Sequence, residues 1–501
     1  MTDTLQAPTR DVCDLADRTL SALDDRISVP LYDRTALTPS VVHIGVGGFH
    51  RAHQAVYLDD LARTGHTGWG EIGVGLRSRA MRDALVPQDC LFTVVERDQR
   101  GDAARIVGSM IGYRYAPDDP QAVLALLSDP RTRVVTLTIT GGGYHLDDSG
   151  RLDGDDPDVR ADLEHPQRPS SVFGYLVEAL DRRRRSGLPA FTVLSCDNIP
   201  ENGAAARTAV LDFARLRDER LASWIADHAS FPASMVDRIT PETDDGASAL
   251  VAGQFGVRDR WPVTTEPFRQ WVIEDDFCNG RPPLERVGVH FVDDVAPYKL
   301  MKTRLLNAGH SALGYLGCLT GDYRTTGEAM ANPVIADYLA ALMRSEIADL
   351  LPEVPGIDLD AYQRTLLERF ANPRISDQLS RLCGRGSTKM TAYLLPSLIA
   401  ARQAGRPSAL LTLAVAGWCR YLQGSDLKGN HIDIDDAHKD VLQPLAIQHG
   451  PDPRPLLGQR AIFGRLGDDP EFVTALEWAI RDIEEYGPAA TIADHLATRA
   501  G

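Results

Sequence analysis

Lys302, Asn307 and His310 lie in one short segment, Tyr298-Lys299-Leu300-Met301-Lys302-Thr303-Arg304-Leu305-Leu306-Asn307-Ala308-Gly309-His310. On a regular helix they fall at roughly 0°, 140° and 80°, a single broad face. Polar helix faces usually meet solvent. Here the run LLNAGHSALGYLG is apolar, with Leu305 and Leu313 on the opposite side, so the face is expected to be buried. Buried Lys, Asn and His need partners or a function. A desolvated lysine near other positive charge loses its proton near neutrality and then serves as general base in an alcohol oxidation. An asparagine amide donates to the developing alkoxide, and a histidine beside it orients the substrate hydroxyl.

A second group of residues suits a nucleotide. Gly45-Val46-Gly47-Gly48-Phe49-His50-Arg51 follows an apolar run and opens a helical pattern. Glycines there allow a tight turn and let the backbone approach a pyrophosphate at a helix N-terminus. The third glycine position of the dinucleotide fingerprint is His50, so the motif is incomplete, and a plain strand–turn–helix fits the same pattern. Arg77-Ser78-Arg79 follows the second strand, where arginines accept a 2′-phosphate. Alternatively they are solvated, and an acid such as Asp83 or Asp98 reaches the ribose. Asn198, after the strand FTVLS, could supply a second amide or simply form an Asn-x-Pro turn. Asp237, after FPASMV, could bind a sugar hydroxyl, cap a turn or pair with Arg238.

The elements that would position these residues alternate. Strands are expected at 40–45, 71–76, 105–110, 133–140 and 191–195, with helices at 121–128 and 171–185. That alternation predicts an α/β fold with a Rossmann-like, doubly wound parallel sheet. Beyond residue 292 the pattern is helical at 296–319, 332–349, 359–370, 390–403, 408–423 and 471–484. The expected division is a dinucleotide-binding α/β domain at 1–292 and a mostly helical substrate and catalytic domain at 293–501. Residues 1–38 read as an arm with a short amphipathic helix, and the charged stretch 146–168 as a long surface loop.

Composition narrows the function. The net charge of −17 argues against a nucleic-acid partner. The one basic run, Arg182–Arg185, reads as the solvated C-terminal end of a helix. No apolar run approaches the roughly 18 residues of a membrane span. The seven cysteines are scattered without C-x-x-C spacing, which fits a reducing cytoplasm and no structural zinc.

Taken together, GVGGFHRAHQAVYLDDL, TLTIT-GGGY, SCDNIPENG, FPASMVDRITP, EPFRQWVIEDDF, KTRLLNAGHSALGYLG and NPRISDQLSRL resemble the polyol-specific long-chain dehydrogenase/reductase family, in its mannitol 2-dehydrogenase branch. The resemblance implies a metal-independent enzyme that interconverts a polyol, D-mannitol first, and a ketose, D-fructose, with NAD or alternatively NADP. It implies a soluble, monomeric protein with no nucleic-acid or membrane partner. By that resemblance Lys302 is the general base, Asn198 and Asn307 are oxyanion donors, and His310 and Asp237 contact substrate. Arg381 and Lys389 are the cationic pair for the far hydroxyls. Gly45, Gly47, Gly48, Phe49, Arg51 and Arg77 hold the cofactor. The family also contains hexuronate reductases and D-arabinitol dehydrogenases, and these are the alternatives within it. A nucleotide-binding protein without catalysis is the alternative from another class. Two positions depart from the family pattern. Lys299 and Gly141 stand where relatives often carry glutamate. A like charge at i, i+3 is expected to make Lys302 a base at lower pH.

Overall fold

The computed structural model describes residues 12–500. The chain divides into two compact units, Met1–Val295 and Ala296–Gly501.

The first unit is built on a five-stranded parallel sheet. Its strands are β1 (Pro39–Ile44), β2 (Gly70–Gly75), β3 (Met110–Tyr115), β4 (Val134–Leu137) and β5 (Thr192–Ser195), in the order β3-β2-β1-β4-β5. The order reverses between β1 and β4, as in the Rossmann fold. Val41 to Ile44 pair in register with Val134 to Leu137. β2, β4 and β5 are buried throughout, as parallel strands covered on both faces must be. Val42, Ile44, Val135, Leu137, Phe173 and Phe191 lie in the core against the helix Val172–Arg185.

Four expectations differ in detail. The strand foreseen at 105–110 is two strands, Gly101–Val107 and β3. They break at Gly108, whose N–H is taken by the Asp59 carboxylate at 2.9 Å, a partner 49 residues away. The expected arm at 1–38 lies partly outside the described residues; from residue 12 it holds two-residue strands and a six-residue 3-10 helix at Asp17–Ala22, not an amphipathic α-helix. The stretch 146–168 contains a helix, Pro157–Glu164, started by Pro157 and capped by Asp156. In the basic run Arg183 is wholly buried and donates to the carbonyls of Leu127, Asp129 and Pro189, while its three neighbours pair with Glu178 and Asp181.

The second unit is helical. From Leu410 to Tyr421 every residue of the helix Ala409–Tyr421 is buried, the mark of a helix enclosed on all sides. Three stretches expected to be plain helix contain a π-helical turn, at Lys302–Asn307, Met343–Ile347 and Met390–Leu394. Among the described residues no helix is long and apolar enough to cross a membrane.

Three buried histidines tie the layers of the first unit together. His43 on β1 stacks on His50 with ring centroids 3.5 Å apart. His50 Nε2 meets Glu71 Oε1 of β2 at 2.9 Å. His53 Nε2 donates to the Gln270 carbonyl at 2.9 Å, joining the helical layer to the strand Gln270–Glu274. Burial holds His43 well below the usual imidazole range and drops His53 to about 3. Burial also lifts Glu71 to about 7 and lowers His50 to about 3, so the proton of that pair rests on Glu71. The unfolded pair also holds one proton between roughly pH 4.5 and 6.5, so the pair is nearly silent there. His43 and His53 are not silent. The unfolded chain binds more protons than the folded one below about 6.5, so their stabilisation is full above that pH and is lost as pH falls toward 3. Denaturant unfolding at pH 4–6 should therefore show stability falling with acid. In His53→Gln that slope should shrink by roughly 1.4 kcal/mol per pH unit, one proton's worth.

Candidate active site

A cavity of about 400 Å³ opens at the carboxyl ends of β1, β2 and β4. Gly45 and Val46 line it from β1, Gly75 to Ser78 from β2, and Thr138 to Thr140 from beyond β4. That is the switch point where open α/β sheets bind ligands, and the size suits a small molecule or cofactor.

The turn after β1 depends on its glycines. Gly45 has φ +99°, and a Cβ there would lie 2.1 Å from the Thr138 carbonyl oxygen. Gly47 caps the helix α1 (Gly48–Ala52), and a Cβ at Gly47 or Gly48 would meet nothing closer than 3.8 Å. The first glycine is thus required by the fold, and the next two leave the helix N-terminus open. The Thr138 hydroxyl donates to the Gly45 carbonyl at 2.8 Å and accepts from His43 Nε2 at 2.9 Å. With Nε2 protonated, neutral His43 accepts the Thr136 hydroxyl at Nδ1, 2.8 Å away. Thr136 of β4, Thr138 just beyond it and His43 therefore fix the carbonyl that shapes the turn.

His50 occupies the position where a third glycine normally lets the helix pack closely. The helix accommodates it by ending at Ala52 and restarting as α2 (Gln54–Arg63), with His53 at φ −120°, ψ −84° between them. Of the six expected cofactor residues, Gly45 and Arg77 line the cavity, whereas Gly47, Gly48, Phe49 and Arg51 do not. Phe49 stacks on His53 at 5.0 Å and packs on the core. Arg51 is wholly buried and donates to the carbonyls of Gly47 and Trp261. It braces the turn from behind, because Trp261, which lines the cavity, draws it inward.

Arg77 sits exposed on the rim, with no acidic partner among the described residues. Arg79 is engaged by Asp118. The acids considered for the ribose lie elsewhere: Asp83 pairs with Arg82, and Asp98 caps the turn at Arg100 and Gly101.

Sequence reading passed over Asp197. Its buried carboxylate accepts from the N–H groups of Ile139 at 3.1 Å and Thr140 at 2.8 Å, and from the Tyr144 hydroxyl at 2.9 Å. Tyr144 also meets Ser195 Oγ at 2.6 Å. These bonds clamp the loop after β4 to the end of β5, where Asn198 is exposed next door. Thr140 is held at φ +62° within that loop. Gly141 has space above it, the nearest atom to a Cβ being Ile199 Cγ2 at 3.9 Å. Asp237 is buried at the end of the strand Ser234–Asp237. Its neighbour Arg238 turns to Glu96 and to the carbonyls of Ala52 and Glu266. The remaining lining residues, among them Tyr113, His145, Ser170 and Ser171, carried no motif that a sequence could flag.

In the second unit Lys302 opens a π turn that ends at Asn307, directly before the helix Ala308–Thr320. The regular-helix angles expected for the three polar residues therefore do not apply. A π turn is wider, is rare, and occurs often at functional sites. Lys302 is buried at 7% exposure, whereas Asn307 and His310 are half-buried. The His310 ring lies 4.3 Å from that of Phe370. Gly309 lets this helix close on the second π turn, since a Cβ would sit 2.7 Å from Met343 Cε.

Arg381 and Lys389 are both engaged. Arg381 forks onto Asp377 through bonds of 2.7 and 2.6 Å. Lys389 Nζ donates to the carbonyls of Arg381 at 3.0 Å and Leu382 at 2.8 Å. Burial, with Arg381 and Arg385 nearby, lowers Lys389 to about 8.

The fold and the glycine turn define a Rossmann-type dinucleotide unit, carried in one chain with a helical unit that bears a buried lysine. The sequence matches the mannitol dehydrogenase Rossmann domain over residues 39–286 and the mannitol dehydrogenase C-terminal domain over residues 294–484. The chain belongs to the mannitol dehydrogenase family. It is 44% identical to mannitol dehydrogenase 2 of Saccharomyces cerevisiae over 96% of its own length and 97% of the relative's. It is 43% identical to Pseudomonas fluorescens mannitol 2-dehydrogenase, solved as a ternary complex with NAD and D-mannitol, with a TM-score of 0.84 over 97% and 99% of the two chains. A D-sorbitol dehydrogenase solved without substrate is 35% identical, with a TM-score of 0.89 over 95% and 100%.

The clamp on Gly45 can be tested directly. Thr138→Val leaves the Gly45 carbonyl and His43 Nε2 without their shared partner, at a cost of about 1–3 kcal/mol. Titration with a nicotinamide dinucleotide, followed by Trp261 quenching, should show binding weakened about tenfold, and Thr138→Ser should restore it.

Proposed function

We propose that the chain is an NAD-linked polyol dehydrogenase that oxidises D-mannitol to D-fructose and catalyses the reverse reduction without a metal. The observation that carries this reading is the 43% identity, over 97% of the chain, to an enzyme solved with NAD and D-mannitol. In this reading residues 1–292 bind the dinucleotide and residues 293–501 supply substrate and proton chemistry. The turn Gly45–Gly48 and Arg77 would hold the dinucleotide, which would supply a hydride acceptor for the alcohol carbon. Lys302 takes the hydroxyl proton, and its burial suits a base. Asn307 and Asn198 donate amide hydrogens to the oxygen as negative charge develops. His310, steadied by the Phe370 ring, orients the hydroxyl, and Asp237 accepts from a neighbouring one. Lys389 and Arg381 serve the distal hydroxyls. The engagement of Arg381 by Asp377 favours a neutral polyol over a hexuronate, because a carboxylate substrate would call for an uncommitted guanidinium fork. The protein acts as a monomer in the cytoplasm, and its seven free cysteines support the compartment.

Oxidation of NADH and NADPH with D-fructose, fructuronate and xylulose tests the reading. Wild type should turn over fructose, and Lys302→Ala should lose about 100-fold or more in kcat. Turnover with fructuronate alone would move the chain to the hexuronate branch. Dinucleotide binding with no turnover would leave a non-catalytic protein. Arg77 should decide any use of NADPH. Arg77→Ala should raise the KM for NADPH about tenfold and leave that for NADH unchanged.

Lys299 stands three residues before the proposed base, in the last turn of the helix Ala296–Met301. A like charge there favours the neutral lysine. In Lys299→Glu the ascending limb of the pH profile for mannitol oxidation should move to higher pH. An unmoved limb would place Lys299 outside the electrostatics of the site.

A further inference from the structure

Cys318 and Cys383 are in contact within the second unit. The Cys383 thiol donates to Cys318 Sγ across 3.6 Å. Cys318 lies near the end of the helix Ala308–Thr320, and Cys383 is the last residue of the helix Leu379–Cys383. The two helices approach unusually closely. A Cβ on Gly314, one turn before Cys318, would sit 3.0 Å from Leu382 Cβ and 3.2 Å from Cys383 Sγ. The Tyr315 hydroxyl ties the same helices by donating to the Cys383 carbonyl at 3.2 Å. The two thiols also differ in access. Cys383 is buried, whereas Cys318 is partly exposed. No other two thiols are hydrogen-bonded to each other among the described residues.

We propose that Cys318 and Cys383 form a modification site, a thiol pair that hydrogen peroxide converts into a disulfide joining the two helices. The pair is poised for the two steps this requires. Cys318 is the attacking group. The hydrogen bond from Cys383 favours its thiolate, and Cys318 is the more exposed residue of the two. Attack on peroxide breaks the O–O bond, oxidises Cys318 to a sulfenic acid and releases hydroxide. Cys383 then attacks the Cys318 sulfur. Its thiol proton and the departing hydroxide leave as water, and an S–S bond forms. Two thiols and one peroxide thus give one disulfide and two waters. The sulfurs need to close from 3.6 Å to about 2.05 Å, a movement within the reach of side-chain rotation where backbones already touch. Burial raises the Cys383 thiol well above its usual range, so it enters second, through its contact with Cys318; Cys90 and Cys419, raised to about 11 and about 12, have no second thiol in hydrogen-bond contact among the described residues.

The bond would act on substrate rather than cofactor. It fixes the helix that carries His310 to the helix that carries Arg381, whose carbonyl also holds Lys389. This consequence rests on the polyol reading above; the disulfide itself does not.

The test is peroxide treatment of the full-length protein, followed by thiol titration and peptide mapping without reduction. The expected result is a fall from seven thiols to five, a cross-linked peptide pair containing Cys318 and Cys383, and reversal by dithiothreitol. Cys318→Ser and Cys383→Ser should each abolish the cross-link. Sulfinic acid on Cys318 with no cross-linked peptide would overturn the proposal, and so would loss of two thiols in Cys318→Ser. In the oxidised protein the KM for D-fructose should rise about fivefold while NADH affinity stays constant. A cross-link with unchanged KM would overturn the effect on substrate. Because the mapping needs no turnover, its outcome stands apart from the success or failure of the polyol assignment.

Discussion

The cofactor end of this chain depends on one close approach, that of Gly45 to the carbonyl of Thr138. β1 and β4 are parallel neighbours across the point where the sheet order reverses. At their ends the chain has to turn away within a distance that no Cβ permits. The left-handed conformation at Gly45 follows from that crowding, and the helix N-terminus opens where it does because of that conformation. The hydroxyl of Thr138 then serves twice, accepting from His43 and donating to Gly45. Asp197 does comparable work on the next residues of the chain, fixing the loop after β4 by three hydrogen bonds. The two devices share a logic. A buried polar side chain holds backbone that must be irregular, and the backbone holds the polar group in return.

The second unit solves a different problem. A buried lysine costs free energy through desolvation. Lys302 is held in a π turn, where the widened helix presents side chains that a regular α-helix would space differently. A second π turn, at Met343–Ile347, reaches this region through Met343, whose methyl group lies over Gly309. Phe370 covers His310 on the same side. The helix carrying the candidate residues is thus shaped by packing from residues more than thirty positions away.

That separation explains what the sequence made legible. The β1–turn–α1 unit, the parallel sheet and the helical second half were readable, because their signals are local: apolar runs of the right length, glycines between them, and a change of period after residue 292. The identity of the candidate groups was readable too, since a lysine, an asparagine and a histidine in an apolar setting are conspicuous. The kinks were not. Nothing around Lys302 announces a π turn, and the break between 107 and 110 depends on Asp59. Arg51 and Phe49 looked like cofactor residues from their place in the motif. They face inward because Trp261 and the aromatic core lie behind the turn. Asp197 was passed over because its partners, Ile139, Thr140 and Tyr144, are more than fifty residues distant.

The two departures from the family pattern also have different physical weights. Gly141 has free space where a Cβ would stand and a φ outside the left-handed region, so a glutamate side chain can begin there without moving the backbone. Its absence removes a charge and leaves the architecture intact. Lys299 is half-buried in the helical turn that leads into Lys302, so its charge is less well screened than a surface charge would be. Of the two, Lys299 is the one that stands within a helical turn of the proposed base. Under the proposed reading, the sign of the charge at 299 therefore bears more directly on the base than the missing carboxylate at 141 does.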